Sequence, residues 1–315
     1  MRVLIFAIVV TISFASYGQN GKLVEQTIYN LPDSSVRRLR GEVPELDAIL
    51  REVNFYRITY LSDGLRVRGY LAEPKKKQKY PCIIYNRGGS GEFGKIHDEG
   101  FVRRGLGELA RAGYVVVASQ YRGNDGGEGK EEWGGSDVND VLNLLPLLER
   151  YANADTSRIG MFGWSRGGMM TYRSLTRTNR IDAAVVGSGV ADLVKALESR
   201  PEMQTPFRTF IPGFDGQNFE PLKERSVINF VDKLHRDTPI LILQGSSDWR
   251  VPTGQVLELV NKLFEAKHPM RFILYEGGEH SLLEHRTAYI NDVIRWFDMY
   301  VRDKKKWPSM ELHGD

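Results

Sequence analysis

The chain has 315 residues, 41% of them hydrophobic and 26% charged, an ordinary globular composition with ample core-forming side chains. Its formal net charge of +3 is too small to draw it to nucleic acid, and the short clusters Lys75–Lys79 and Lys304–Lys306 read as solvated surface. A single cysteine, Cys82, excludes an internal disulfide and lies too far from the N-terminus for lipidation there.

Arg2 precedes the apolar run Val3–Phe14, and Ala15-Ser16-Tyr17-Gly18 offers small residues before Gln19. That order is the signature of a secretory signal peptide, residues 1–18, and the run is too short to span a bilayer comfortably. Cleavage near Gly18 is expected, with an uncleaved anchor as the alternative, and export to a periplasm or the exterior suits a large domain without disulfides. No other segment is long and apolar enough to cross a membrane.

Residues 19–53 are polar and charged, with a helical stretch near Glu45–Arg51, and read as an N-terminal arm over a domain spanning 54–302. Phe55–Leu61 and Leu65–Leu71 are strand-like runs parted by Ser-Asp-Gly, a hairpin signal. From Tyr80 the pattern becomes strand then helix, repeated. Strands are predicted at Cys82–Asn86, Tyr114–Ser119, Ile159–Phe162, Ala183–Gly187, Ile240–Gln244 and Phe272–Tyr275. Helices are predicted at Asp98–Ala112, Asp137–Tyr151, Arg166–Arg177, Gly254–Ala266 and Ser281–Val301. The strands are short and largely apolar, as strands covered on both faces must be. The alternation predicts an α/β fold with a mostly parallel sheet between two helical layers. Residues 192–237, rich in Pro and Phe, interrupt the rhythm. They read either as a lid or pocket wall, or as a helical excursion packed on the sheet. Residues 303–315 form a C-terminal tail.

Two glycine-rich turns invite three chemistries. A phosphate loop needs Lys and a hydroxyl after its second glycine; Met169 and Met170 follow Gly168, so that reading fails. Gly89-Ser90-Gly91-Glu92-Phe93-Gly94 matches a dinucleotide fingerprint, but no acid follows the next strand before Asp125, as ribose binding would require. The third reading is a nucleophile elbow, Gly163-Trp164-Ser165-Arg166-Gly167. A strand leads in and a helix leads out, which places the serine on a strained turn beside a helix N-terminus.

A serine hydroxyl needs a base, and the base needs an orienting carboxylate. In the order such a fold requires, Asp248 follows the strand Ile240–Gln244 and His280 follows Phe272–Tyr275. The oxyanion donors would be the backbone amides of Arg166 and of the turn after Cys82–Asn86, at Gly88 or Gly89.

Several stretches resemble the hydrolase domain of the prolyl-oligopeptidase family of serine peptidases, over roughly residues 55–302. Gly163–Met169 is similar to that family's G-W-S-x-G-G-x, and Tyr121–Gly127 to its Y-R-G-S-x-G loop. Trp133–Asp140 is similar to W-G-x-x-D-x-x-D, and Gln244–Pro252 to H-G-x-x-D-x-R-V-P. The resemblance implies an α/β-hydrolase fold with Ser165 as nucleophile, His280 as general base and acid, and Asp248 as orienting carboxylate. Arg166 and Gly89 would supply the oxyanion amides, and Trp164, Arg87, Tyr121 and Trp249 are candidates for the substrate pocket. Arg87 stands where the family has histidine in H-G-G-P, Ser90 replaces the proline, and Arg166 replaces a tyrosine. The Arg166 side chain would meet an acidic substrate group or pair with a carboxylate such as Asp137 or Asp140. Glu131 and Glu132 read as surface. About 35 residues separate the signal segment from the first strand, too few for the family's β-propeller.

The expected function is thus an exported serine hydrolase that cleaves a peptide bond through an acyl-enzyme on Ser165, acting on a small peptide or ester. A carboxylesterase would share every one of these residues. A non-catalytic, hydrolase-like binding protein is the alternative of another class, motivated by the altered turn Arg87–Ser90. No metal or organic cofactor is implied.

Overall fold

A computed structural model of the protein describes residues 19–314; the predicted signal peptide lies outside them. In chain order the elements are β1 (Leu23–Ile28), α1 (Asp33–Leu39), α2 (Leu46–Glu52), β2 (Val53–Ser62), β3 (Leu65–Pro74), β4 (Tyr80–Asn86), α3 (Asp98–Arg103), α4 (Leu106–Arg111), β5 (Val115–Ser119), α5 (Val138–Leu142) and α6 (Leu144–Arg150). There follow β6 (Ala154–Trp164), α7 (Arg166–Leu175), β7 (Ala183–Gly187), α8 (Leu193–Ser199), α9 (Gln204–Phe210), α10 (Glu220–Lys223), β8 (Ile240–Gly245), α11 (Thr253–Glu265), β9 (Met270–Tyr275) and α12 (Arg286–Phe297).

The nine strands form one sheet in the order β1-β2-β3-β5-β4-β6-β7-β8-β9. The pairs β1–β2, β2–β3 and β3–β5 are antiparallel and the other pairs parallel. Between β2 and β3, Asp63 and Gly64 both take positive φ, 52° and 81°, the two-residue turn whose twist matches the strands it joins. Strands β4, β5, β7 and β8 are buried along their whole length, as the apolar runs require of strands with helices on both faces.

Alternate residues of those strands feed two cores. Ile84 and Val117 join the layer that includes Leu144, Met169 and Leu259, whereas Ile83 and Val116 join the layer with Phe101, Val293 and Phe297; successive side chains on a strand point to opposite faces. Helix α11 contributes Val256, Leu259 and Leu263 at helical spacing, all 1% exposed or less, and each such burial stabilises by about 1.5–3 kcal/mol. Cys82 is buried in β4, and burial pushes its thiol up to about 12, so it stays neutral. Among the described residues no helix is long and apolar enough to cross a membrane.

Three local departures from the sequence expectations have physical causes. Residues 23–28 are an edge strand of the sheet rather than part of a loose arm, paired with β2 through Ile28↔Tyr56; five of its six residues are exposed, so no apolar alternation marks it. The helix predicted over 98–112 breaks at Arg104–Gly105, where Gly105 takes φ 84° and its backbone packs on the Ile290 side chain. The helix predicted over 137–151 pauses at Asn143, because Pro146 has no N–H for the Leu142 carbonyl.

The C-terminal ends of β4, β6, β8 and β9 lie on one edge of the parallel part of the sheet. Loops there carry residues 87–94, Ser165, Asp248 and His280. Ligands of open α/β sheets bind at this edge.

Candidate active site

Strand β6 ends at Trp164 and α7 begins at Arg166, which leaves Ser165 alone on the turn at φ 58°, ψ −123°. A non-glycine residue holds that conformation only where its surroundings over-determine it. Here the Ser165 amide donates to the Gly187 carbonyl at 2.9 Å, and its carbonyl accepts from Gly168 at 2.9 Å and Val190 at 3.3 Å. The elbow glycines are required by contact. A Cβ at Gly163 would overlap the Gly167 carbonyl and the Thr171 hydroxyl, and one at Gly167 would overlap the Asn86 carbonyl. A Cβ at Gly88 would stand 3.7 Å from Ser165 Oγ, so the turn after β4 passes directly over the serine.

Asp248, at the end of β8, is buried. Its Oδ1 accepts from the amides of Arg250 at 2.9 Å and Val251 at 3.0 Å. Its Oδ2 lies 2.8 Å from His280 Nδ1 and accepts from Gln244 Nε2 at 3.3 Å. That bond fixes the ring orientation and leaves Nε2 as the free imidazole nitrogen. Trp164 steadies the same loop, since its indole N–H donates to the His280 carbonyl at 3.0 Å. Ser165 and His280 line one cavity of about 1630 Å³, together with Gly88, Gly89, Trp164 and Trp249. Ser165 Oγ has no hydrogen-bond partner among the described residues, an arrangement common where substrate binding tightens the pair. The backbone amides of Gly89 and Arg166 have no backbone acceptor among the described residues.

The Arg166 side chain does not point at substrate. It is 1% exposed, with Nη1 donating to Glu131 Oε2 at 2.6 Å and to the Gly89 carbonyl at 2.8 Å, and Nη2 to Asp137 Oδ2 at 2.7 Å. It also lies over the rings of Tyr121 and Trp133, 4.9 Å from each centroid. Burial works against its charge, but Glu131 and Asp137 outweigh burial and hold its pKa above the ordinary guanidinium value. Of the two carboxylates expected as partners Asp137 is the one it meets, while Asp140 is taken by Arg122 at 2.8 Å.

Three sequence expectations are corrected here. Arg87 is fully buried rather than in the pocket, and donates to the carbonyls of Gln120, Gly88, Phe93 and Gly91 at 3.1–3.4 Å. Burial and the neighbouring Arg166 charge push it down to about 10. Tyr121 is likewise buried, its hydroxyl donating to the Arg87 carbonyl at 3.0 Å. Glu131 is not surface: it is 2% exposed and accepts from Arg166, from Asn124 and from the Gly91 amide. A carboxylate beside a loop with two arginines was the available signal. Trp164 and Trp249 do line the cavity, and Trp249, 61% exposed, lies between Arg200 and Arg250. The insertion walls the cavity through Leu193, Ala196, Met203 and Phe207, while Phe207 also packs on Trp133 at 5.0 Å, so it is both wall and packed excursion.

This sheet, with a serine on a strand–helix elbow and a His–Asp pair at neighbouring strand ends, defines the chain as an α/β-hydrolase. Comparison with known proteins narrows the class. A family model described as "Prolyl oligopeptidase family" matches residues 104–304. An uncharacterised peptidase of Bacillus subtilis (strain 168), YtmA, is 34% identical over 232 residues, 73% of this chain and 87% of that protein. A dipeptidyl-peptidase 5 of Aspergillus fumigatus is 27% identical over 74% of this chain, but only 33% of its own length is covered. Among solved structures, the acylaminoacyl peptidase of Pyrococcus horikoshii shares the fold with TM-score 0.70 at 21% identity, over 91% of this chain and 46% of that one. An acetyl xylan esterase from Paenibacillus sp. R4 shares it with TM-score 0.64 at 16% identity, over 88% and 89%. The chain thus spans less than half of the longer relatives. It belongs to the prolyl oligopeptidase family and is a serine hydrolase of the peptidase kind.

Proposed function

We propose that the protein hydrolyses peptide bonds through an acyl-enzyme on Ser165. Ser165 Oγ attacks the scissile carbonyl carbon while His280 Nε2 takes its proton, and Asp248 stabilises the imidazolium that forms. The carbonyl oxygen, now negative, accepts from the amides of Arg166 and Gly89. Helix α7 adds the positive end of its dipole, because its first amides open toward Ser165. His280 then returns the proton to the leaving amine. Water, deprotonated by His280, attacks the acyl carbon and frees Ser165.

The observation that carries this reading is the 2.8 Å bond between His280 Nδ1 and Asp248 Oδ2 in the cavity onto which the strained Ser165 opens. A fluorophosphonate probe is expected to label the wild type at Ser165 and to leave Ser165→Ala unlabelled; labelling that persists in the variant overturns the assignment. Turnover of aminoacyl amides against short acyl esters separates peptidase from esterase, with amide hydrolysis the expected outcome. Export is part of the same proposal, on the strength of Arg2, the apolar run Val3–Phe14 and the small residues that follow. N-terminal sequencing of protein from the periplasm or medium tests it, with Gln19 as the expected first residue.

A further inference from the structure

Ion pairs neutralise every carboxylate lining the cavity and nearly every basic side chain, as Arg57 does for Asp98 and Arg68 for Glu25. Two lining arginines, Arg250 and Arg104, have no carboxylate within 4.0 Å among the described residues. Arg250 rests on the rings of Trp249 and Phe93, 4.9 and 5.5 Å from their centroids. Among the described residues Arg104 has neither a carboxylate nor an aromatic face, and its guanidinium makes one long hydrogen bond, Nη2 to the Gly94 carbonyl at 3.4 Å.

Two unused hydroxyls line the same cavity. They belong to Tyr85 near the end of β4 and Tyr289 in α12, which are 2% and 4% exposed. Neither hydroxyl has a hydrogen-bond partner among the described residues. Burial raises both phenols; the charges of Arg104 and Arg87 oppose it at Tyr85, and those of Arg286 and then Arg104 oppose it at Tyr289, where Glu108 adds to burial. The juxtaposition is built into the backbone. Gly105, next to Arg104, packs directly on Ile290, next to Tyr289, and Arg286 of α12 donates to the Arg103 carbonyl at 3.1 Å. Beyond Tyr289 stands Trp164, 5.1 Å between ring centroids, and its indole holds the His280 carbonyl. Trp164 thus links Tyr289 to the loop that carries His280.

We propose that Arg104, Tyr85 and Tyr289 form a subsite for a carboxylate on the leaving-group part of the substrate. A guanidinium flanked by two phenolic donors matches a carboxylate in charge and in donor count. The preferred substrate is then a peptide whose C-terminal carboxylate lies within a residue or two of the scissile bond. This rests on the serine peptidase reading above.

The test uses one acyl part with four leaving groups: a dipeptide with a free C-terminal carboxylate, the same dipeptide amidated, and two amidated forms carrying Glu or Gln. The free acid is expected to exceed its amide in kcat/KM by about tenfold or more, the size of one charge-assisted hydrogen bond. That ratio is expected to fall toward one in Arg104→Met and partway in Tyr289→Phe, a change that removes a single hydroxyl. A preference for Glu over Gln that vanishes in Arg104→Met supports the subsite with a side chain as the source of the carboxylate. Equal rates in the wild type both for acid against amide and for Glu against Gln, or a preference that Arg104→Met and Tyr289→Phe both leave intact, overturns it. Fluorophosphonate labelling of the same preparations separates the two layers: an unlabelled wild type overturns the peptidase reading and the subsite together, whereas intact labelling with indifferent rates overturns the subsite alone.

Discussion

Arg166 Nη1 donates to the Gly89 carbonyl at 2.8 Å, so the residue that offers one candidate oxyanion amide through its backbone holds the residue of the other through its side chain. The same guanidinium neutralises Glu131 and Asp137, both 2% exposed or less. Arg166→Met would leave two carboxylates buried without a cation, and breaking a buried pair in this way costs about 3–5 kcal/mol. Urea denaturation measures that loss. Arg166→Lys keeps the charge, but a single ammonium cannot reproduce the planar fork that serves three acceptors. It is expected to lower kcat per labelled serine by about 10²-fold, the usual effect of misplacing a catalytic group by about 1 Å, with KM little changed. An unchanged kcat per labelled serine would show that the side chain is structural only.

Asp248 divides its two oxygens between backbone and imidazole, with Oδ1 on the amides of Arg250 and Val251 and Oδ2 on His280 Nδ1. In Asp248→Asn the backbone bonds survive, but the amide nitrogen facing His280 favours the wrong tautomer. A fall in kcat of about 10⁴ is expected, as for such a change in other serine hydrolases. The rate of fluorophosphonate labelling should fall with it while the thermal midpoint moves little. A variant that retains wild-type kcat would remove Asp248 from the proposed mechanism.

The parallel half of the fold was legible because its strands are buried on both faces and so read as apolar runs such as Val115–Ser119, all buried. The positions of Ser165 and Asp248 were legible for the same reason, since each sits just past such a run, whereas His280 follows the edge strand β9, which is apolar in sequence at Phe272–Tyr275 although only Tyr275 is buried. The edge strand β1 was not, because only Leu23 of its six residues packs on a core and the other five are exposed, so its sequence carries no period. Nor were the places of Arg87, Tyr121 and Glu131. Charged and phenolic side chains in a glycine-rich loop look like surface in one dimension, and only the convergence of residues 87–94, 121–137 and 166 shows that they neutralise one another. Arg104 was hidden differently. Within a predicted continuous helix it is an ordinary exposed arginine, and the structure instead ends the helix at Arg103 and places Arg104 on the cavity wall.

Glycines in this chain divide sharply by what a methyl group would meet. At Gly167 it would overlap the Asn86 carbonyl, and backbone cannot move aside without displacing β4. Gly167→Ala is therefore expected to cost several kcal/mol or to abolish soluble expression. At Gly254, near the start of α11, nothing lies within 4 Å. Gly254→Ala should stabilise by about 0.4–1 kcal/mol, through a lower entropy of the unfolded chain. Paired urea titrations check both, and a destabilised Gly254→Ala would contradict the open space seen there.

His268 sets an acid limit to stability. It is 2% exposed at the end of the α11 loop, its Nε2 donating to the Thr238 carbonyl at 3.0 Å. Burial is the main cause that pushes it down to about 4, with the charges of Arg236 and His235 adding to burial and the Thr238 bond opposing it. In the unfolded chain its pKa is about 6.5, so between pH 6.5 and 4 the unfolded state binds the extra proton. Stability therefore rises with pH across that window and is lost as pH falls through it. The most this residue can withdraw is about 3 kcal/mol. His268→Gln keeps a donor of similar reach for the Thr238 carbonyl and cannot titrate. Urea denaturation at pH 7 and at pH 4 should show a larger loss in the wild type than in the variant, by up to about 3 kcal/mol. Equal losses in the two proteins would mean that His268 is not the group that takes up the proton.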